Sequence, residues 1–190
     1  FGGEYGIDTD KSAPGWPIML LNSYFEGQRK SAILTNEGGL TIVRMKVKNV
    51  PVAVEIKENA PDRLFMEDCI FENVKRTGLI LTDAGNAATQ INLRGIQCKN
   101  VPVFSLERST NEQVSGKGKA YQITRFTYGF NANSLEDIPQ IVREAEIVPI
   151  ESIIPLDVGD TPMLPTMNHW VNIRDLGAKG DGFSDDTEIF

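Results

Sequence analysis

The sequence predicts an all-β protein built as a stack of parallel β-helix coils, and three observations carry that prediction. One turn phrase recurs: Phe25-Glu26-Gly27, Val47-Lys48-Asn49-Val50-Pro51, Phe71-Glu72-Asn73-Val74 and Cys98-Lys99-Asn100-Val101-Pro102. The slot occupied by Gly27, Asn49, Asn73 and Asn100 repeats at intervals of 22, 24 and 27 residues, a period that belongs to solenoids. Apolar residues also hold fixed offsets before that slot, with period 2 on each side of one phase break, and period 2 means strand.

The first strand of each unit carries Ile18, Leu40, Leu64 and Ile91 nine residues before the slot, and Leu20, Ile42, Met66 and Leu93 seven before it. The second carries Ser23, Met45, Cys69 and Ile96 four before, then Phe25, Val47, Phe71 and Cys98 two before. Between the two lies the phase break, where the chain turns a corner. The Asn slot follows, because Asn tolerates left-handed backbone and bonds to nearby backbone. Stacked coils would bring those amides into a ladder, and Gly27 supplies the backbone freedom alone. A third apolar run, such as Val52 to Ile56, Gly78 to Leu81 or Val103 to Leu106, completes the unit. Neighbouring coils then bury one another's interior.

Two consequences follow from the register. Glu26, Lys48, Glu72 and Lys99 stand one residue before the slot, so on strands about 4.8 Å apart they form an exposed charge ladder of alternating sign. Cys69 and Cys98 face inward two positions out of step on adjacent coils, roughly 8 Å apart at Cα, beyond disulfide reach. Two buried free thiols are expected.

After Ser109 the repeat fades. Thr110 to Lys119 is polar and Gly-rich and reads as a loop. Tyr121 to Tyr128 suits another strand, Leu135 to Glu144 a short helix, and the Pro-bearing remainder to residue 165 a linker. Trp170 to Asp175 opens a new strand, followed by a Gly turn and a helix start at Asp185. That terminal helix is too short to stand alone, so the chain is expected to belong to a longer protein. Residues 1–110 are thus the coils, 111–165 loop and linker, and 166–190 the start of a second unit.

Composition bounds the function classes. Among 190 residues, 41% are hydrophobic and 24% charged, with a net charge of −7. Nucleic-acid binding needs a basic footprint, so that class is excluded. No apolar run is long enough to span a bilayer, and no signal peptide is present in this chain. No Walker loop, dinucleotide fingerprint, zinc pattern or nucleophile elbow occurs, so neither cofactor nor metal is expected.

The stretch Val171-Asn172-Ile173-Arg174-Asp175-Leu176-Gly177-Ala178-Lys179-Gly180-Asp181-Gly182-Phe183-Ser184-Asp185-Asp186-Thr187 resembles the opening signature of pectate-lyase-like right-handed β-helix domains. The earlier coils, with Pro14-Gly15-Trp16-Pro17, Phe25-Glu26-Gly27-Gln28-Arg29 and Asn100-Val101-Pro102-Val103, resemble bacterial proteins related to glycoside hydrolase family 28, which can carry two β-helix domains in tandem. The resemblance implies the end of a first β-helix, a linker and the start of a second. It also implies secreted or periplasmic work on a polysaccharide or oligosaccharide. The family includes hydrolases, lyases and non-catalytic binders, and the fold does not choose among them.

Glycoside hydrolysis uses two carboxyl groups flanking the bond. Outward or loop carboxylates are Glu26, Glu37, Glu55, Asp68, Asp83 and Glu107, of which Glu26 belongs to the charge ladder. Glu37, in Asn36-Glu37-Gly38-Gly39, could line a cleft with Arg29 and Trp16, the indole stacking on a sugar face. The same residues also make an ordinary solvated loop, and Trp16 between Pro14 and Pro17 could simply plug the stack. Asp181, Asp185 and Asp186 suggest a cation site, but helix capping by Ser184 or Asp185, with Glu188, explains them as well. Asp8-Thr9-Asp10 matches a calcium loop poorly, and His169 has no visible partner. The catalytic residues are left unassigned. The leading expectation is a glycoside hydrolase acting on a polysaccharide, with catalytic groups partly or wholly outside this segment. The alternatives are a non-catalytic carbohydrate-binding or structural β-helix, or a lyase.

Overall fold

The structure, a computed structural model, describes residues 2–9, 17–36, 39–58, 60, 63–82, 89–131, 134, 136, 140–156, 171–179, 181 and 183–187. The chain divides into two units, Phe1–Asp157 and Val158–Phe190.

The first unit is a parallel β-solenoid of four coils, preceded by β1 (Tyr5–Asp8). The coils are β2 (Ile18–Leu21), β3 (Tyr24–Glu26) and β4 (Ser31–Thr35); β5 (Leu40–Val43), β6 (Lys46–Lys48) and β7 (Val52–Ile56); β8 (Arg63–Glu67), β9 (Ile70–Glu72) and β10 (Thr77–Leu81); and β11 (Gln90–Lys99) with β12 (Val103–Glu107). β13 (Gln113–Ser115), β14 (Ala120–Asn131) and β15 (Gln140–Pro149) follow. One sheet runs β1-β4-β7-β10-β12-β13. The other holds β2-β5-β8 and β3-β6-β9 side by side, both limbs meeting on the long β11, with β14 and then β15 beyond it.

The register is the one the offsets imply. Ile18, Leu40, Leu64 and Ile91 are successive partners, as are Phe25, Val47, Phe71 and Cys98. The phase break is a corner of left-handed residues at Asn22, Arg44, Asp68 and Gly95, with φ of 49°, 54°, 50° and 67°. The turn slot behaves alike: Gly27, Asn49, Asn73 and Asn100 have φ of 76°, 58°, 54° and 56°. Each coil thus has two left-handed hinges five residues apart, and Asn is among the few non-glycine residues that visit this region readily.

The amide ladder forms. Asn100 Nδ2 donates to Asn73 Oδ1 at 2.8 Å, and Asn73 Nδ2 donates to Asn49 Oδ1 at 3.0 Å. Asn49 Nδ2 ends the run on Glu26 Oε1 at 2.9 Å, in place of the side chain that Gly27 lacks. Glu26 also accepts from the Tyr24 hydroxyl at 2.6 Å, and that bond leads the causes holding its carboxyl below the ordinary value. Glu26, Lys48, Glu72 and Lys99 stand in register as expected. The short ion pair of Glu72 is diagonal, however, to Lys46 at 2.7 Å.

The interior fills with these slots. Ile42, Met45, Val47, Met66, Phe71, Ile96 and Cys98 are fully buried. Small residues of the facing sheet make room for the rings: a Cβ on Gly6 would lie 2.4 Å from the Phe25 ring, and one on Gly78 3.2 Å from the Phe71 ring.

β14 closes the last coil. It runs antiparallel to all of β11 and buries Tyr121, Ile123, Phe126 and Tyr128. Phe126 meets Phe104 edge-on at 5.3 Å and stacks on Tyr128 at 4.5 Å. Tyr121 donates its hydroxyl to the Val101 carbonyl at 2.8 Å, so the buried phenol keeps a partner. Arg143 on β15 reaches Glu112 at 2.7 Å and the buried Glu107 at 3.6 Å, tying the two sheets together at this end.

Several local expectations are corrected. Gln113–Ser115, within the expected loop, is a strand antiparallel to β12. Gln140–Glu144, within the expected short helix, belongs to β15, because pairing along β14 satisfies its backbone. β14 contains the strand expected over Tyr121 to Tyr128, whereas β15 falls in the span read as loop and linker. In the second unit, Val171–Asp175 is not a strand. Ile173–Leu176 forms a 3₁₀ turn, capped by Asn172 and ended by Gly177 at φ 105°.

Candidate functional site

The period-2 alternation that points Ile18 and Leu20 and their partners inward turns the residues between them outward. Met19, Thr41, Phe65 and Asn92 are in register across β2, β5, β8 and β11, and Thr127 and Glu144 continue the row on β14 and β15. This row floors two adjoining hollows. The first, about 370 Å³, is lined by Thr41, Arg63, Phe65, Gln90 and Asn92 together with backbone around Gly39. The second, about 270 Å³, shares Gln90 and Asn92 and adds Arg125, Thr127 and Glu144.

Among the described residues, no carboxylate lines the first hollow. In the second, Glu144 sits 3.1 Å from Arg125. Several carboxylates elsewhere on the described surface are also engaged. Glu67 pairs with Arg94 at 2.6 Å and Glu55 with Arg108 at 2.7 Å. Arg108 donates as well to the Ile56 carbonyl. Glu107 accepts from the Ser109 hydroxyl at 3.0 Å and is buried. Asp68 occupies the corner, exposed, with its carboxylate folded over Gly95. The two facing carboxyl groups of a glycosidase, about 5–9.5 Å apart across a common hollow, are not assembled among the described residues. What the hollows offer is an aromatic ring, amides, hydroxyls and guanidinium groups.

The residues selected from sequence fare unevenly. Trp16, Glu37, Asp83 and His169 lie outside the described residues. Arg29 is exposed at the turn between β3 and β4, where its backbone N–H donates to the Gly3 carbonyl at 2.8 Å. No described contact joins Arg29 to either hollow. The outer-row residues were legible in principle: they stand eight before the Asn slot, one step out of phase with the core. Their chemistry varies from coil to coil, so no repeat marks them.

Comparison with protein-family models, with curated proteins and with solved structures yields no match. The chemistry of the site therefore rests on its own residues.

The acidic cluster of the second unit closes local turns. Asp181 accepts from the Ser184 and Phe183 N–H groups at 2.7 and 2.9 Å, and these bonds hold its carboxyl below the ordinary value. Asp185 accepts from the Thr187 N–H at 3.0 Å, and Asp186 from the Lys179 N–H at 3.1 Å. Among the described residues, no three His, Cys, Asp or Glu side chains converge as a cation site.

Cys69 and Cys98 are buried free thiols. Desolvation pushes both up to about 12, so neither is a nucleophile at neutral pH. Because the folded-state value lies above the unfolded one, their contribution to stability is complete below about pH 8.5 and is lost as pH rises toward 12. Tyr121 and Tyr128 are raised in the same direction, mainly by burial. Chemical denaturation at a series of pH values should therefore show stability falling above about pH 9. A thiol reagent should label neither cysteine until the coils unfold. Rapid labelling at pH 7.5 would contradict the buried register.

Proposed function

We propose that the outer face of the β2-β5-β8-β11-β14 sheet binds an extended carbohydrate without cleaving it. One observation carries this reading: the hollow on that face joins Phe65 to Thr41, Arg63, Gln90 and Asn92, and among the described residues no carboxylate lines it. An aromatic ring offers an apolar platform for a sugar face, and a few fixed amides and hydroxyls orient its hydroxyls, the usual composition of a small-molecule site. Strands about 4.8 Å apart set Thr41, Phe65 and Asn92 side by side along the row, a spacing that an extended polymer can follow.

The parallel β-helix and the residues from Val171 to Thr187 support a kinship with pectate-lyase-like proteins related to glycoside hydrolase family 28, secreted or periplasmic and with a second β-helix domain. In that reading this segment is the binding part of a carbohydrate-active protein, and a hydrolase centre would draw its carboxylates from residues beyond the two hollows. Calorimetric titration against a panel of polysaccharides and oligosaccharides, with reducing-end release followed in parallel, separates the readings. Binding without release is expected. Phe65→Ala should weaken that binding about tenfold, equal to about 1.4 kcal/mol, with the melting temperature unchanged. Release of reducing ends would support the hydrolase, and failure of every glycan to bind would overturn the proposal.

A further inference from the structure

The outward slot three residues before the Asn slot holds Tyr24, Lys46, Ile70 and Gln97, in register on β3, β6, β9 and β11. Its exposure changes abruptly along the stack. Tyr24 is 46% exposed and Lys46 half-buried, yet Ile70 is 2% and Gln97 7% exposed. Ile70 lies outside the core cluster, as an outward residue should, so something covers it from outside. The described segment that reaches its neighbour Gln97 follows β15. Ile150 still pairs with the Ala120 carbonyl at 3.2 Å, and the chain then turns back over the corner.

There the Gln97 side chain grips it with both ends of its amide. Nε2 donates to the Ile154 carbonyl at 2.9 Å, and Oε1 accepts from the Ile154 N–H at 2.7 Å. Both backbone groups of one residue are thus satisfied by one side chain, in the manner of an added strand one residue long. Pro155 and Leu156 then roof a hollow of about 230 Å³ over Arg44, Asp68 and Gln122. The Ile154 side chain itself points to solvent, 68% exposed, so its own side chain does little to hold the strap at this residue.

We propose that residues 150–156 form a latched strap, with Gln97 as the latch. Closed, it covers Gln97, the neighbour of Ile70, and roofs the corner hollow. Released, it uncovers an apolar and charged surface on the last two coils and frees the segment leading to the second unit. Beyond Ile150, the hold among the described hydrogen bonds concentrates on one side-chain amide, so the strap opens from Glu151 onward without unpairing any strand. It belongs to the class of local openings that cost far less than global unfolding.

Hydrogen exchange of the full chain, read at the Ile154 amide, tests this with two variants. In the wild-type protein Ile154 should be protected although it sits in a non-strand segment. Gln97→Leu keeps the size and removes both bonds, and should accelerate exchange at Ile154 at least tenfold while Ile96, Cys98 and Tyr121 keep their protection. Gln97→Glu retains the acceptor but sets a carboxylate against the Ile154 carbonyl. Its strap should open at neutral pH and close again in acid, where the protonated carboxyl donates once more. Arg44 and Asp68 line the same hollow, so the midpoint of that closure will reflect both charges. Three results would overturn the proposal: unprotected Ile154 in the wild-type protein, no change in Gln97→Leu, or protection lost equally across β9, β11 and β14. Reclosure of Gln97→Glu in acid is the outcome that a purely packing role for Gln97 does not produce. This strap lies on a different face from the carbohydrate hollows, so its test stands or falls independently of them.

Discussion

Phe71→Ala should destabilise the solenoid by about 3–5 kcal/mol, the usual cost of deleting a fully buried ring. Phe71 is wholly buried in the third coil, between Val47 below and Cys98 above. The opposite wall has been shaped to it: Gly78 carries no side chain where a Cβ would lie 3.2 Å from the ring, and that same Cβ would meet the Phe104 carbonyl at 2.7 Å. Gly78 therefore offers no side chain that could swing in to fill the void. In a stacked protein a loss in one coil is felt by both neighbours, so the urea midpoint should fall as a single transition. A change under 1 kcal/mol would mean that the ring is not the interior plug described.

Asn73 makes the second large prediction, and its two variants separate two causes. It adopts φ 54° and sits mid-ladder, donating to Asn49 and accepting from Asn100. Asn73→Gly keeps the left-handed backbone and loses the amide bonds. Each such bond is worth about 0.5–1.5 kcal/mol net, and a partly exposed ladder belongs at the lower end. Asn73→Ala loses the same bonds and adds the cost of placing a Cβ in the left-handed region, about 1–2 kcal/mol. Thermal and urea denaturation should then rank wild type above Gly and Gly above Ala, with about 2–3 kcal/mol lost in the Ala variant. Equal stability of the Gly and Ala variants would mean that the turn conformation carries none of the cost.

The same residues explain what the sequence revealed. Ile18, Leu40, Leu64 and Ile91 recur because each coil must bury one residue at that height, and four copies make the period visible. The two left-handed hinges are equally legible at Asn49, Asn73 and Asn100. They are less so at Arg44 and Asp68, whose side chains give weaker hints of the same backbone. β13, β15 and the strap each occur once, so no second copy exposes their pattern. Gln140–Pro149 is mostly exposed on an edge, and Arg143, Glu144 and Glu146 break its alternation while guarding that edge against other chains. The outer row failed to stand out for the opposite reason to the core: Met19, Thr41, Phe65 and Asn92 occupy one structural position with four chemistries. Glu26 belongs to the scaffold, as its ladder slot implies, but its partners are Tyr24 and Asn49, contacts that emerge only once coils are stacked.

The central claim is the stacking register, and scalar couplings across backbone hydrogen bonds report it directly. In an isotope-labelled sample, the amide nitrogens of Lys46, Ile70 and Gln97 should couple to the carbonyl carbons of Ser23, Met45 and Cys69, the bonds that link successive coils at 2.9, 2.8 and 2.9 Å. Those of Asn49 and Asn73 should couple forward to Glu72 and Lys99, at 3.0 and 2.9 Å. Partners displaced by one residue, or an antiparallel pattern among β5, β8 and β11, would contradict the coils and everything built on them.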